Sequence, residues 1–387
     1  MNRARLTLSC FLAYFALSGT LAPIGILAEP AAHVLGATLA EVVRALGYFS
    51  IGTLTGAVAA LWVLPRFRLR RLMISTYVLA TGCLFALGAL ASHLAVISGL
   101  LLVVGICLGI GLAQGALMIS RLFDDDQRAS MLVATDASFS LAGFLMASLS
   151  VYLLASNADW YSVYLVIGGV TVAIVFLVRG GDFSQVEAFD EAAAEPMLER
   201  VRWATPVWLL MTALFFYTLG QTTLLTWLPA FGASDLGLTP SLAGGLVGNY
   251  WLGMFIGQLL TVGIVLRLGV SRMVVVGALG CFSLSVALIY LPDEMIQKQF
   301  VALLWGIANF GLLKCIISKA SESFRIVPAT LVSMMLLAAS VGTALSPVLS
   351  SRIVESGGLG LGIGLAHFSL GLVAVFVLAS VLIRTRN

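Results

Sequence analysis

Pro65-Arg66-Phe67-Arg68-Leu69-Arg70-Arg71 sets four arginines between two long apolar runs, and Arg267-Leu268-Gly269-Val270-Ser271-Arg272 places a second basic turn about 200 residues later. Another pair of turns repeats at a similar interval: Ser120-Arg121 leading to Arg128, and Ser318-Lys319 leading to Arg325. Matching basic turns at corresponding ends of apolar runs describe a duplicated unit embedded in lipid, because loops rich in Lys and Arg resist crossing a bilayer.

Working outward, 17 of the 21 Lys and Arg residues fall in every second gap between apolar runs, leaving Arg44, Lys298, Lys314 and Arg352 outside those seams. A spanning helix needs about 20 mostly apolar residues. Marking such runs predicts twelve, at 6–28, 41–64, 72–92, 94–120, 129–155, 160–178, 206–230, 241–266, 273–292, 298–318, 327–350 and 360–383. The even number and the basic seams place both chain ends in the cytoplasm. The fold class expected is therefore an all-α integral membrane protein of two pseudo-symmetric six-helix bundles. The run from Leu6 to Ala28 follows Arg3 and Arg5 but exceeds the roughly 7–15 residues of a signal-peptide core, so it reads as a retained first span.

Composition excludes other classes. With 60% hydrophobic and 10% charged residues, and a mean hydropathy of +1.06, the chain has too little polar surface to cover a water-soluble globule. The net charge of +3 is spread as rims around apolar segments, not gathered in a nucleic-acid-binding patch. Each of Cys10, Cys83, Cys107, Cys281 and Cys315 lies alone in an apolar run, which suits packing better than a disulfide or metal framework. His33, His93 and His367 are too dispersed for a metal site. No phosphate-binding G-x-x-x-x-G-K-[ST] loop is present, so nucleotide-driven pumping and a nucleotide cofactor are not expected.

Most connections are short, and the exception is Gly180 to Ala204. Asp182, Glu187, Asp190, Glu191, Glu195 and Glu199 precede Arg200 and Arg202 there, which predicts a solvated cytoplasmic linker. The expected organisation is an N-terminal bundle over 1–180, a linker over 181–204 and a C-terminal bundle over 205–387. Parallel repeats joined by a longer loop are a transporter architecture, with the substrate site expected between the halves near the bilayer midplane.

Gly105, Gly109, Gly111 and Gly115 in the fourth run, Trp227-Leu228-Pro229, and Trp251-Leu252-Gly253-Met254 with Gly257 resemble the major facilitator superfamily. Within it, Thr135-Asp136-Ala137-Ser138-Phe139-Ser140-Leu141-Ala142-Gly143 and Trp160-Tyr161-Ser162-Val163-Tyr164 resemble the TsgA-type proteins related to the fucose–proton symporters. The resemblance implies secondary transport by alternating access and a cavity lined mainly by the first, fourth, seventh and tenth spans. The chain departs from the superfamily pattern at its first basic turn, where Pro65 and Arg68 stand in place of an acid and a glycine. At the second, Leu266 stands where the acid would be. The fucose symporters carry carboxylates inside the first and fourth spans, and this chain has none there, so proton coupling does not carry over directly.

On the spans that the resemblance assigns to the cavity, the polar and aromatic residues near mid-depth are Tyr14, Gln114, Tyr217, Gln221, Thr222, Trp305 and Asn309. Tyr217 with Gln221, and Trp305 with Asn309, are i, i+4 pairs that share a helix face. Each offers hydrogen bonding beside an apolar or stacking surface, which suits a small, partly polar solute; the alternative use of such amides is to tie helices together. Asn249, Tyr250 and Gln258 are secondary candidates.

A charge inside a span costs about 2.5–3.5 kcal/mol at mid-helix on insertion scales, which draws attention to Asp136. Counting from Arg128 and Lys319 at 1.5 Å per residue puts Asp136 roughly 12 Å and Lys314 roughly 7–8 Å in from the basic ends of their spans. They are expected to form a coupling or gate pair; the alternative has Lys314 reaching out to the interface and Asp136 binding Arg121 or nearby backbone. Glu41 and Arg44, at i and i+3, are expected to pair as a cap or, alternatively, as part of an outer gate.

The function expected is secondary active transport of a small neutral or weakly polar, sugar-like solute across a bacterial inner membrane by a monomer, with the proton as candidate coupling ion. The alternatives are efflux of amphipathic compounds or a non-transporting sensor of the same fold. No enzymatic activity is expected: the sequence shows no acids, histidines or nucleophile clustered at one depth.

Overall fold

A computed structural model describes residues 2–187, 203–291, 295–309, 311–324 and 329–383; side chains of 125, 126, 129, 185, 261–266, 295 and 329 also fall outside the description. The chain divides into two compact units, Met1–Leu198 and Glu199–Asn387. Every described element is helical.

The first unit contains α1 (Asn2–Leu21), α2 (Ile24–Leu35), α3 (Leu39–Val63), α4 (Leu69–Leu90), α5 (Leu94–Leu122), α6 (Asp125–Ala155), α7 (Ser162–Arg179) and the single turn α8 (Ser184–Glu187). The second contains α9 (Thr205–Ser234), α10 (Pro240–Leu268), α11 (Val270–Tyr290), α12 (Met295–Asn309), α13 (Leu312–Ser321), α14 (Ala329–Gly357) and α15 (Leu359–Leu382). Among the described residues, eleven segments are long and apolar enough to cross a membrane, α12 and α13 together counting as one. The remaining expected span is α10, whose 29 residues reach about 43 Å at 1.5 Å each, with Pro240, Asn249 and Gln258 lowering its hydropathy.

The internal packing of the two units corresponds helix for helix. In the first, α3 packs on α5, α4 on α7, and α1 on α6 and α7; in the second, α10 packs on α12, α11 on α15, and α9 on α14 and α15. Glycines set the closest of these contacts. A side chain at Gly52 would strike the carbonyl oxygen of Leu102, and one at Gly105 that of Phe49, so α3 and α5 touch backbone to backbone. Gly253 against Leu303 and Gly306 against Tyr250 repeat this between α10 and α12, each glycine 201 residues after its counterpart. Small residues permit such approach in lipid, where apolar burial offers little drive for helix association.

Two spans differ from expectation. The first run is divided by Ala22-Pro23 into α1 and α2, and α2 runs on to Leu35, past the predicted limit at 28. Proline has no N–H to bond the preceding turn, and Gly36, in a left-handed conformation with φ 61°, ends α2. The tenth run is divided into α12 and α13, with Asn309 the last residue of α12.

The segment predicted as solvated linker begins as part of the first unit. Phe183 and Val186 are buried. Arg70 Nη2 donates to Arg179 O at 2.6 Å and Arg5 Nη1 to Gly180 O at 2.5 Å, so two cations cover the carbonyl end of α7, where the helix dipole is negative. Arg121 Nη1 donates to Val186 O at 3.0 Å. The Asn2 amide exchanges two bonds with the backbone of Asp182, at 2.7 and 2.8 Å. Asp182 in turn accepts from the Ser184 N–H and hydroxyl, both at 3.0 Å. In the opposite direction, Glu187 Oε1 accepts from the Arg70 N–H at 3.3 Å in the first turn of α4. Residues 179–187 are thus a clasp over the ends of α1, α4, α5 and α7. The remainder of the expected linker, 188–202, lies outside the described residues.

Candidate functional site: two buried polar clusters

In the second unit, α9, α10, α11 and α12 bring one cluster together. The Tyr217 hydroxyl donates to Asn309 O at 3.2 Å. Asn309 Nδ2 donates to Trp305 O at 2.6 Å, one turn back, and Asn309 Oδ1 accepts from the Cys281 thiol at 3.1 Å. Trp305 is fully buried against Tyr250, with ring centroids 4.3 Å apart. Gln221 Nε2 donates to the Tyr250 hydroxyl and approaches Met254 Sδ at 3.7 Å.

Four of the expected residues, Tyr217, Gln221, Trp305 and Asn309, therefore share one network. Thr222 stands apart, half-buried, while its neighbour Thr223 bonds Ser346 Oγ at 2.9 Å. Sequence reasoning ranked Tyr250 low and treated Cys281 as packing, yet both complete the network. The missing signal was register: Tyr250 adjoins Trp251 on α10, and the ring contact of Tyr250 with Trp305 shows which of the two meets that residue of α12. Asn249 turns elsewhere, donating to Gln299 Oε1 at 2.5 Å.

The first unit holds a smaller cluster. Gln114 on α5 is fully buried, and among the described residues neither Oε1 nor Nε2 has a hydrogen-bond partner. Gly111 and Gly115 flank it: the Tyr77 hydroxyl occupies the space a side chain at Gly111 would need, and the Tyr14 ring would lie 3.4 Å from a Cβ at Gly115. Tyr14 and Tyr77 are both buried, and the Tyr77 hydroxyl also has no partner. An unbonded buried polar group costs about 1–3 kcal/mol, so a buried amide with both ends open is a place where a polar ligand gains most. The residues named in both clusters carry no formal charge.

Of the expected gate residues, Asp136 is half-buried on α6 and Lys314 is exposed on α13, in different units. Arg121, the alternative partner of Asp136, reaches the clasp at Val186. Glu41 closes a capping box: Thr38 N and Oγ1 donate to Glu41 Oε2 at 2.9 and 2.8 Å, and Glu41 N donates back to Thr38 Oγ1 at 3.3 Å. Its carboxylate is thereby engaged with Thr38 at the start of α3. Arg44 lies half-buried one turn on.

The second unit also has an apolar groove of about 330 Å³ between α9 and α14, lined by residues including Met211, Phe215, Met334 and Leu337.

The sequence profile described as Major Facilitator Superfamily matches residues 6–347. A curated relative, the protein TsgA homolog of Edwardsiella ictaluri (strain 93-146), is 27% identical over 360 residues, covering 92% of this chain and 90% of its own. Protein TsgA of Shigella flexneri is 28% identical over 361 residues, with the same two shares. Among solved structures, a D-xylose–proton symporter superposes with a TM-score of 0.74 at 15% identity, covering 98% of this chain and 97% of that one. The nucleoside transporter NupG gives a TM-score of 0.74 at 13% identity, covering 99% and 100%. With a duplicated helical fold that fits the profile over nearly its whole length, the chain belongs to the Major Facilitator Superfamily, a multi-pass membrane transporter and not an enzyme.

Proposed function

We propose that this transporter moves a small, neutral or weakly polar solute of sugar-like chemistry by alternating access, as a monomer in a bacterial inner membrane with both chain ends in the cytoplasm. Gln114 carries the reading. A buried amide with both polar atoms open can accept from one hydroxyl of a solute and donate to another, while Tyr14 offers a ring face. The network of Tyr217, Gln221, Tyr250, Trp305 and Asn309 supplies amides, phenols and an indole without a formal charge, which disfavours an ionic solute. The solved structures of similar fold include transporters named for D-xylose and for nucleosides, so pentoses, hexoses and nucleosides form the first panel.

The test is counterflow in proteoliposomes with that panel, wild type against Gln114→Ala and Gln221→Ala. A solute carried by wild type should lose transport at least tenfold in Gln114→Ala. Undiminished transport of every carried solute by both variants would remove these residues from the site. Thr222 is included as a third position; Thr222→Val should have the smallest effect, since the residue stands outside the network.

Asp136 and Lys314 are proposed as the coupling pair, with protons as the coupled ion. Asp136→Asn should abolish the dependence of uptake on an imposed pH gradient while leaving counterflow intact. Loss of both together would make Asp136 part of solute binding instead. Glu41 and Arg44 are assigned to the start of α3, outside the coupling step.

Efflux of an amphipathic compound is the second reading, favoured by the apolar groove between α9 and α14. Accumulation of amphipathic dyes, and none of the sugar panel, would establish it over the first.

A further inference from the structure

We infer that the turn between α3 and α4 is a binding site for the headgroups of anionic phospholipids. Arg66, Arg68 and Arg71 are all exposed there, within six residues. Arg66 is steadied by a bond from Nη1 to Trp62 O at 2.7 Å, while the side chains of Arg68 and Arg71 have no hydrogen bond or ion pair among the described residues. Arg70, between them, is turned to the clasp, with its guanidinium on Arg179 O, its N–H on Glu187 and its charge beside Asp182. Among the described residues, no carboxylate pairs with the three outward guanidinium groups.

A further feature points to lipid. Trp62, 57% exposed, precedes the arginines at the end of a membrane-spanning helix, and Phe67, 58% exposed, lies among them. Such aromatics sit at headgroup depth, where an apolar ring and a polar surrounding are both available. In the corresponding turn of the second unit Arg267 and Arg272 are also exposed, but Leu268 stands where the first turn has Phe67, and the neighbouring Lys319 donates to Ser271 Oγ at 2.7 Å and pairs with Glu322 at 2.6 Å. A phosphate bearing two acyl chains satisfies both parts of the first turn: the oxygens meet guanidinium donors and the chains lie along Trp62 and Leu61.

The test titrates phosphatidylglycerol or phosphatidylcholine into detergent-solubilised protein, following bound lipid by native mass spectrometry and unfolding by thermal scan, with inorganic phosphate as a third arm. Wild type should bind phosphatidylglycerol in preference to phosphatidylcholine. Each cation removed should weaken this roughly fivefold, so Arg68→Gln with Arg71→Gln should weaken it about 25-fold. The charge-keeping pair Arg68→Lys with Arg71→Lys should retain most of it, which separates lost charge from a misfolded turn. Three results would overturn the inference: equal binding of the two lipids by wild type, full retention of the preference by the double Gln variant, or protection by inorganic phosphate equal to that of phosphatidylglycerol, which would make the site one for free anions.

Discussion

The hydroxyl of Tyr217 donates to the main-chain carbonyl of Asn309 at 3.2 Å, joining the middle of α9 to α12. The phenol is a side-chain donor to a buried main-chain acceptor, which needs a partner. Tyr217→Phe removes that donor together with the hydroxyl's contact to Tyr250. The variant should unfold about 0.5–1.5 kcal/mol more easily, read as a lower thermal midpoint. Its solute transport should fall by more than the stability change explains, because α9 and α12 then lose this tie within the polar network.

Lys298 is a buried cation whose Nζ points at the last carbonyls of α11, 3.1 Å from Leu291 O and 3.4 Å from Leu288 O and Ile289 O. Its charge meets the negative end of that helix. Lys298→Met keeps the apolar stem and leaves these carbonyls without the donor, which should cost about 1–3 kcal/mol. Hydrogen exchange in the last turn of α11 should rise in the variant; unchanged protection there would mean that the ammonium is not what holds the turn.

Gly253 and Gly306 let α10 and α12 touch through their backbones, as Gly52 and Gly105 do for α3 and α5. Gly253→Ala has no room without parting the helices, and overpacking of this kind costs roughly 1–3 kcal/mol. By contrast, a Cβ at Gly82 or Gly99 meets open space, so alanine there should leave the midpoint within the error of the measurement. Equal behaviour of Gly253→Ala and Gly82→Ala in thermal scans would show that the close approach is not needed.

Asp182 is held below the ordinary carboxylate range, first by the Ser184 N–H, then by the Ser184 hydroxyl, with the Arg70 charge adding to both. A lowered folded value means that the charged form favours the clasp. Its contribution is therefore fully present above the unfolded value of about 3.9 and is lost as the pH falls through the lower folded value. Protease cleavage within 180–187 should accelerate only on the acid side of that range, and Asp182→Asn should flatten the dependence.

The duplication was readable because it is written in charge and in glycine. Arg66 and Arg71 recur as Arg267 and Arg272, and the glycines that set α3 against α5 recur at the same 201-residue interval. The interruption of the tenth run at Gly311, the N-cap of α13, was not readable, since a lone glycine among apolar residues fits a continuous span. Tyr250 was underrated for a similar reason: periodicity puts Tyr250 and Trp251 next to each other without saying which one meets Trp305. The clasp was hidden by composition. Acidic residues made 180–204 look uniformly solvated, and two apolar side chains, Phe183 and Val186, were too few to alter an average.

That clasp also says where the gene could be cut. A chain interrupted after Arg179 would strip α7 of Gly180 and α4 of Glu187, exposing one helix end of each. An interruption after Glu187 leaves both ends capped, so a transporter reassembled from two separately translated halves should tolerate the second break and fail at the first.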